Sequence, residues 1–201
     1  MHSSKQQTID TYNTSAAEMA VKFNKMKRTE DVARAFSFID VVDPFVLEIG
    51  CGNGRDASEI VQYTKKYLGI DISEAMLELA KQQAPHGSFK LADVELYNFP
   101  ENINLIFSFA SLLHSDTKNV ASVLQRAKRA LHPGGVFYIS LKHGEGQAVK
   151  EDEFGTRTFY FYTPERIKEL AGDGYETVWD DVQEVFGRQW FTIALKKLRS
   201  D

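Results

Sequence analysis

The segment Val46-Leu47-Glu48-Ile49-Gly50-Cys51-Gly52-Asn53-Gly54-Arg55-Asp56 constrains this chain most. An apolar run leads straight into a loop with three glycines in five positions, and a helical pattern follows. Glycine loses more backbone freedom on folding than any other residue, so three this close together need a geometric reason. The usual reason is a small molecule lying against bare backbone, with its charged end at a helix N-terminus.

The flanking pattern repeats that arrangement. Residues 8–39 read as helical, with Ala16, Ala17, Met19, Ala20 and Phe23 on one apolar face. Thr29-Glu30-Asp31 opens a second helix that carries Val32, Ala35, Phe36 and Ile39 inward, and Asp43-Pro44 breaks it. Residues 45–49 form a continuously apolar strand, buried on both faces. A helix over 54–63 follows, then a strand over 67–70 ending at Asp71. Ser73 caps the next helix, whose inner face is Met76, Leu77 and Ala80. Strands over 88–92 (ending at Asp93) and 103–109 come next. A helix over 118–131 is stopped by His132-Pro133-Gly134-Gly135, and a strand over 136–141 follows. This alternation predicts a three-layer α/β architecture, a parallel sheet covered on both faces.

The last third changes character. Residues 143–155 read as a Gly- and acid-rich loop, followed by Phe159-Tyr160-Phe161-Tyr162. Thr163-Pro164-Glu165 starts a helix that ends near Gly172. Strands over 175–185 and 188–197 are joined by Phe186-Gly187, a link so short that it forces them antiparallel.

At 201 residues the chain fits one domain with a single sizeable core. With 43% apolar and 26% charged residues it is neither disordered nor fibrous. A net charge of −4 argues against a surface that wraps nucleic acid. Lys22, Lys25, Lys27 and Arg28 read as a solvated helix face, the alternative being a local basic patch. The lone Cys51 excludes an internal disulfide and a cysteine-cluster metal site, and no metal is expected. It suits a reducing compartment, so a cytoplasmic location is expected. The first residues open no long apolar run of the secretory type. No stretch of about 18 apolar residues occurs, so no membrane span is expected.

Three carboxylates, Glu48, Asp71 and Asp93, fall at or beside the carboxyl ends of three successive strands, the rim where open α/β sheets bind ligands. Asp71 lies about 20 residues past the glycine loop, the spacing at which an acidic side chain meets a ribose diol. The glycines read G-x-G-x-G, whereas the dinucleotide fingerprint is G-x-G-x-x-G, and Arg55 stands at its third glycine. Glu48 beside the site disfavours a pyrophosphate and suits a cationic ligand.

With these motifs the chain resembles the class I S-adenosylmethionine-dependent methyltransferases. The matching segments are residues 46–54, Gly69-Ile70-Asp71-Ile72-Ser73, Leu91-Ala92-Asp93, residues 105–114 and Leu131-His132-Pro133-Gly134-Gly135. The resemblance implies a Rossmann-like sheet of seven strands in the order 3-2-1-4-5-7-6, the seventh antiparallel. It implies a single domain over 1–201, with a helical segment over 1–43 covering the cofactor site, a cofactor-binding core over 44–142 and an acceptor-side part over 143–201. S-adenosylmethionine would be the cofactor and S-adenosylhomocysteine the product. Glu48 and the backbone of Gly50, Gly52 and Gly54 would hold the methionine moiety. Asp71 would bind the ribose hydroxyls, Ile72 would pack on the adenine, and Asp93, with Val94 beside it, would accept the adenine amino group. Phe109 and Ala110 would line the site near the methyl group. Tyr12 resembles the N-terminal tyrosine that many members fold over the cofactor, although Met19 stands where a second aromatic often falls. Cys51, Asn53 and Met76 complete the expected cofactor-site set, Cys51 as a small packed residue.

Methyl transfer needs a base only when the nucleophile arrives protonated. His114, past the fourth strand, and His143, past the fifth, are the candidate bases; the alternatives are a packed His114 and a loop His143. Arg157, Tyr160 and Tyr162 are the candidate acceptor-pocket residues, set against a plain half-buried strand. Trp190 and Arg188 are lesser candidates. No Asp/Asn-Pro-Pro-Tyr follows the fourth strand, where Phe109-Ala110-Ser111-Leu112 stands. The acceptor is therefore expected to be a small molecule offering O, N or S, and nucleic acid is disfavoured. The competing readings are a methyltransferase for RNA or protein, a nicotinamide-dependent oxidoreductase, and a nucleoside-binding protein without chemistry.

Overall fold

The structure, a computed structural model, describes residues 3–26 and 28–199. Lys27 of the basic run lies outside the described residues. Three helices open the chain: α1 (Ser4–Thr14), α2 (Ala16–Phe23) and α3 (Thr29–Ser37). Ser15 separates the first two, because its backbone leaves the helical region at φ −108 and ψ 25.

The expected alternation follows as β1 (Val46–Ile49), α4 (Ala57–Ile60), β2 (Tyr67–Asp71), α5 (Glu74–Gln83), β3 (Ser88–Leu91), β4 (Ile103–Phe109), α6 (Thr117–Ala130) and β5 (Leu131–Lys142). The helix expected over 54–63 is only one regular turn. Beyond it, Gln62 and Tyr63 bond three residues back, to Glu59 and Ile60, which tightens the end into a 3-10 turn. β5 begins earlier than expected: Leu131 already pairs with Ile103, and a register shift between Ile103 and Leu105 absorbs the glycines.

The expectation of a loop over 143–155 is corrected. β6 (Gln147–Asp152) and β7 (Gly155–Tyr160) form a separate antiparallel hairpin. β6 is a surface strand with mostly exposed side chains, so no apolar alternation marks it. The hairpin is tied to α1: Thr11 Oγ1 donates to the Thr156 carbonyl at 2.8 Å, and the Thr158 N–H donates to Thr8 Oγ1 at 3.1 Å. The chain ends with α7 (Pro164–Ala171), β8 (Tyr175–Val185) and β9 (Arg188–Lys197).

The main sheet has seven strands in the order β3-β2-β1-β4-β5-β9-β8. β1 to β5 pair in parallel, and β9 runs antiparallel between β5 and β8. This is the expected 3-2-1-4-5-7-6 order once the two hairpin strands are counted. Strand alternation splits the core in two. Val46, Leu105, Phe107 and Tyr138 pack against Val32, Ala35, Ala57 and Ile60 on one face. Leu47, Ile106, Phe137 and Ile139 pack against Val120, Val123, Leu124 and Ile167 on the other. Each of the buried Val, Leu, Ile and Phe side chains contributes about 1.5–3 kcal/mol by leaving water, and each Ala less. Among the described residues no helix is long and apolar enough to cross a membrane.

Candidate functional site

β1 delivers the glycine loop to the carboxyl end of the sheet. Gly50 has φ +69, and a Cβ there would stand 2.0 Å from Ser111 Oγ. Gly54 has φ +81, and a Cβ there would meet the α5 backbone at Ala80, 2.7 Å away. Gly52, by contrast, faces open space. Its N–H donates to Asp71 Oδ2 at 2.8 Å, while the Ser73 N–H donates to Asp71 Oδ1 at 2.9 Å. Two backbone donors thus fix the carboxylate at the end of β2. Desolvation pushes the Asp71 carboxyl upward, against those hydrogen bonds.

A cavity of about 460 Å³ opens over these strand ends. It brings together most of the predicted cofactor residues: Tyr12, Gly50, Cys51, Gly52, Asn53, Asp71, Ile72, Met76, Asp93, Val94, Phe109 and Ala110. His114 and Arg157 line it as well. Asn53 donates to Asn24 Oδ1 at 2.8 Å and ties the loop to the end of α2. Burial pushes the Cys51 thiol well above its ordinary range, so it is a packed residue and not a nucleophile. Asp93 accepts from Lys5 of α1 at 2.7 Å, and Lys5 also reaches Glu95 at 2.6 Å. Ala110 adopts φ +55 as β4 ends, a left-handed conformation rare outside glycine, with its N–H held by the Ser140 carbonyl at 2.9 Å.

Glu48 and Gly54 lie behind the loop, outside the cavity wall. The Tyr67 hydroxyl donates to Glu48 Oε2 at 2.5 Å. Burial, reinforced by nearby Asp56, pushes the Glu48 carboxyl up to about 8. Burial thus favours the protonated carboxyl, in contrast to the standing anion that its position beside the glycines suggested.

His143, Tyr160 and Tyr162 are not brought to the cavity. Tyr160 and Tyr162 line a separate groove with Gly144 and Gly146. Tyr162 donates to the Ser115 carbonyl at 2.6 Å. His143 bridges to Tyr162 and packs edge-on against Phe191. The period of a strand explains the division: Arg157 and Phe159 turn toward the cavity, so Tyr160 turns away.

His114 has both ring nitrogens engaged. Nδ1 lies 2.7 Å from the Thr158 carbonyl, which can only accept, so Nδ1 carries the proton. Nε2 then accepts from the Tyr12 hydroxyl at 2.9 Å. Burial lowers the His114 imidazole to about 4 and raises the Tyr12 phenol.

Several basic residues in the cavity wall escaped sequence reasoning or were discounted by it, Arg28, Lys142 and Arg188 among them. Arg28, read above as part of a solvated helix face, is half-buried. Its guanidinium stacks 5.0 Å over Phe109 and donates to Ser140 Oγ at 3.2 Å, and burial lowers its pKa. Lys142, at the end of β5, has its ammonium 3.5 Å from the Phe159 ring centroid. Arg188 and Trp190 enter the wall from β9. Arg28 has one local partner, Asp31 at 3.3 Å, but Phe109 and Ser140, like the Phe159 partner of Lys142, come from strands distant in sequence. Among the described residues no group of three or more His, Cys, Asp or Glu could hold a metal ion.

Comparison with known proteins agrees with this geometry. Residues 46–135 match the family described as a methyltransferase domain. The chain is 33% identical over 90 residues to trans-aconitate 2-methyltransferase of Yersinia pseudotuberculosis, covering 43% of this chain and 34% of that protein. It is 31% identical over 96 residues to the biotin biosynthesis bifunctional protein BioHC of Cellvibrio japonicus, covering 47% of this chain and 19% of that one. The matched region thus spans between a fifth and about a third of these relatives' lengths. Among solved structures, the magnesium protoporphyrin IX methyltransferase of Synechocystis, with bound S-adenosylmethionine, superposes with a TM-score of 0.76 at 15% identity, covering 100% of this chain and 99% of that one. The 1,6-didemethyltoxoflavin-N1-methyltransferase of Burkholderia thailandensis superposes with a TM-score of 0.72 at 17% identity, covering 92% and 85%. Residues 46–135 are thus similar to a methyltransferase domain, and the whole chain adopts the seven-stranded fold of these solved structures.

Proposed function

We propose that the cavity binds S-adenosylmethionine and that the chain transfers its methyl group to an O, N or S nucleophile of a small molecule. The observation that carries this is the Asp71 carboxylate, fixed by the Gly52 and Ser73 N–H groups at the cavity wall. Each oxygen keeps a second lone pair, so the group can accept from a ribose diol without losing its backbone donors. The relatives named for trans-aconitate and for 1,6-didemethyltoxoflavin act on small molecules, which supports a small acceptor here.

When bound, the cofactor would supply an electrophilic methyl carbon on a positively charged sulfur, with neutral S-adenosylhomocysteine as the leaving group for an acceptor lone pair. This chain's residues hold and orient. Asp71 takes the ribose, Ile72 and Val94 flank the base, and Asp93 accepts the adenine amino group. The backbone at Gly50 and Gly52 receives the amino-acid end, and Arg28 offers that end's carboxylate a cation. Glu48 acts through the loop from behind it. Phe109, Ala110 and Tyr12 enclose the reacting region and exclude water. Orientation of this kind contributes up to ~7–11 kcal/mol in the best cases. His114 serves as a positioning residue for Tyr12 and not as the base, because both its nitrogens are engaged and its imidazole is weakly basic. A packed lone cysteine fits a reducing, cytoplasmic setting, and a net charge of −4 fits a small acceptor better than a nucleic acid.

Titration of Asp71→Ala with S-adenosylhomocysteine tests the assignment. Loss of two hydrogen bonds to a carboxylate weakens binding by at least about tenfold. Unchanged affinity in a folded variant overturns it.

A further inference from the structure

The cavity wall is electrically divided. At the β2 and β3 ends stand Asp71, Asp93 and Glu95, with Lys5 pairing the last two. At the β5, β7 and β9 ends stand Lys142, Arg157 and Arg188. The carboxylate there, Asp152, is already shared by Lys150 and Arg157, at 2.6 Å each. Lys142 and Arg188 have no ion-pair partner among the described residues.

Register shows where these two cations point. On β4 and β5, Phe109 pairs with Ser140, and Lys142 is the next residue on that same side of the sheet. Lys142 pairs with Trp190 of β9, and Arg188 lies two residues before Trp190 on the same side. Lys142, Trp190 and Arg188 therefore form one surface, continuous with Phe109. Aromatic rings surround it: the Lys142 ammonium lies 3.5 Å from the Phe159 centroid and 5.8 Å from that of Trp190. The Arg157 guanidinium lies 5.5 Å from the same Phe159 ring, and its buried Nε has no partner.

Resting on the methyltransferase reading above, we infer that the acceptor is a small organic anion with a planar apolar body, its anionic group docked between Lys142 and Arg188. The rings of Phe109, Phe159 and Trp190 offer stacking area to that body. Lys142 is half-buried, and a half-buried cation is costly without a counter-charge; exposed Arg188 stands at the mouth, and an anionic ligand between them supplies that charge. Burial, reinforced by neighbouring Arg188, Arg157 and Lys150, already presses the Lys142 ammonium down to about 8. The electrostatic strain is thus concentrated where the anion would relieve it. The anionic group could be a carboxylate or a phosphate ester, which share this chemistry.

The test uses the full chain saturated with S-adenosylhomocysteine, titrated calorimetrically with 4-hydroxybenzoate, phenyl phosphate and the neutral isostere 4-hydroxybenzamide. At least one anion is expected to bind about tenfold or more tightly than the amide, and the preferred anion identifies the source. Lys142→Met and Arg188→Gln are each expected to erase that preference while leaving S-adenosylhomocysteine affinity unchanged. In parallel, the Lys142 side chain, followed by carbon NMR, is expected to titrate at higher pH with the anion bound. An amide that binds as well as both anions, absence of anion binding with Lys142 titration unmoved, or a preference that survives both substitutions overturns the inference. Failure of S-adenosylhomocysteine itself to bind instead contradicts the methyltransferase reading, so the two failures are distinguishable.

Discussion

The Tyr12 hydroxyl donates to Nε2 of His114 across 2.9 Å, joining the first helix to the loop after β4. The other ring nitrogen donates to Thr158 at 2.7 Å, so one imidazole links α1, the β4 loop and the β6–β7 hairpin. The roof of the cavity is held by a neutral histidine.

That neutrality sets a pH dependence. The His114 imidazole is lowered to about 4 in the fold against an unfolded value near 6.5, so the unfolded chain binds more protons between those values. Its contribution is present above about pH 6.5 and is lost as pH falls toward 4. The full effect is on the order of 3 kcal/mol. Urea unfolding of wild type and His114→Gln across pH 4–7 checks this. The difference between the two should shrink as pH falls, and a difference constant with pH contradicts a neutral buried imidazole.

Glu48 gives the opposite slope. Its carboxyl is raised to about 8, so the folded state binds the extra proton between about pH 4.5 and 8, and stability declines as pH rises through that range. Glu48→Gln, which mimics the protonated group beside Tyr67, should remove that decline. When the cationic amino-acid end of the cofactor arrives, Glu48 should ionise. Calorimetry at pH 7 in buffers of different ionisation enthalpy should then show proton release on S-adenosylhomocysteine binding, absent in Glu48→Gln.

Gly50 and Ser111 interlock. Gly50→Ala places a Cβ about where Ser111 Oγ now stands and strains a φ of +69. Loss of at least about 2 kcal/mol in stability is expected, from overpacking together with left-handed strain. Ser111→Gly in the same chain should recover the steric part and leave about 1–2 kcal/mol of backbone strain. Full recovery would mean the glycine's conformation is not required.

Arg28 separates the two ends of the cofactor. Arg28→Leu should weaken S-adenosylhomocysteine by about tenfold, the effect of one charge-assisted contact, and leave adenosine, which lacks the carboxylate, unaffected. Equal losses for both ligands would make Arg28 a general packing residue of α3 and Phe109.

Much of this site was legible in the linear sequence because its residues sit at strand ends. The glycine loop and Asp71 each close an apolar run, Asp93 follows the short edge strand β3, and parallel connectivity carries such ends to one rim. The acceptor side was less legible for two reasons. β6 is an exposed strand with no apolar period, so a hairpin that closes the cavity read as a loop. Arg28 meets Phe109 and Ser140, and Lys142 meets Phe159, only through tertiary packing, and a cation in a polar run carries no local sign of burial. Glu48 stands beside the loop, yet its burial between β2 and β4, which favours the protonated carboxyl, is not written in its own segment.

The most direct measurement is a calorimetric titration of the whole chain with S-adenosylhomocysteine and, separately, with NAD. One-to-one binding of S-adenosylhomocysteine with no heat from NAD is expected from Asp71, Asp93 and the G-x-G-x-G loop. Binding of NAD alone, or of neither, contradicts the assignment of this cavity to a methyl donor.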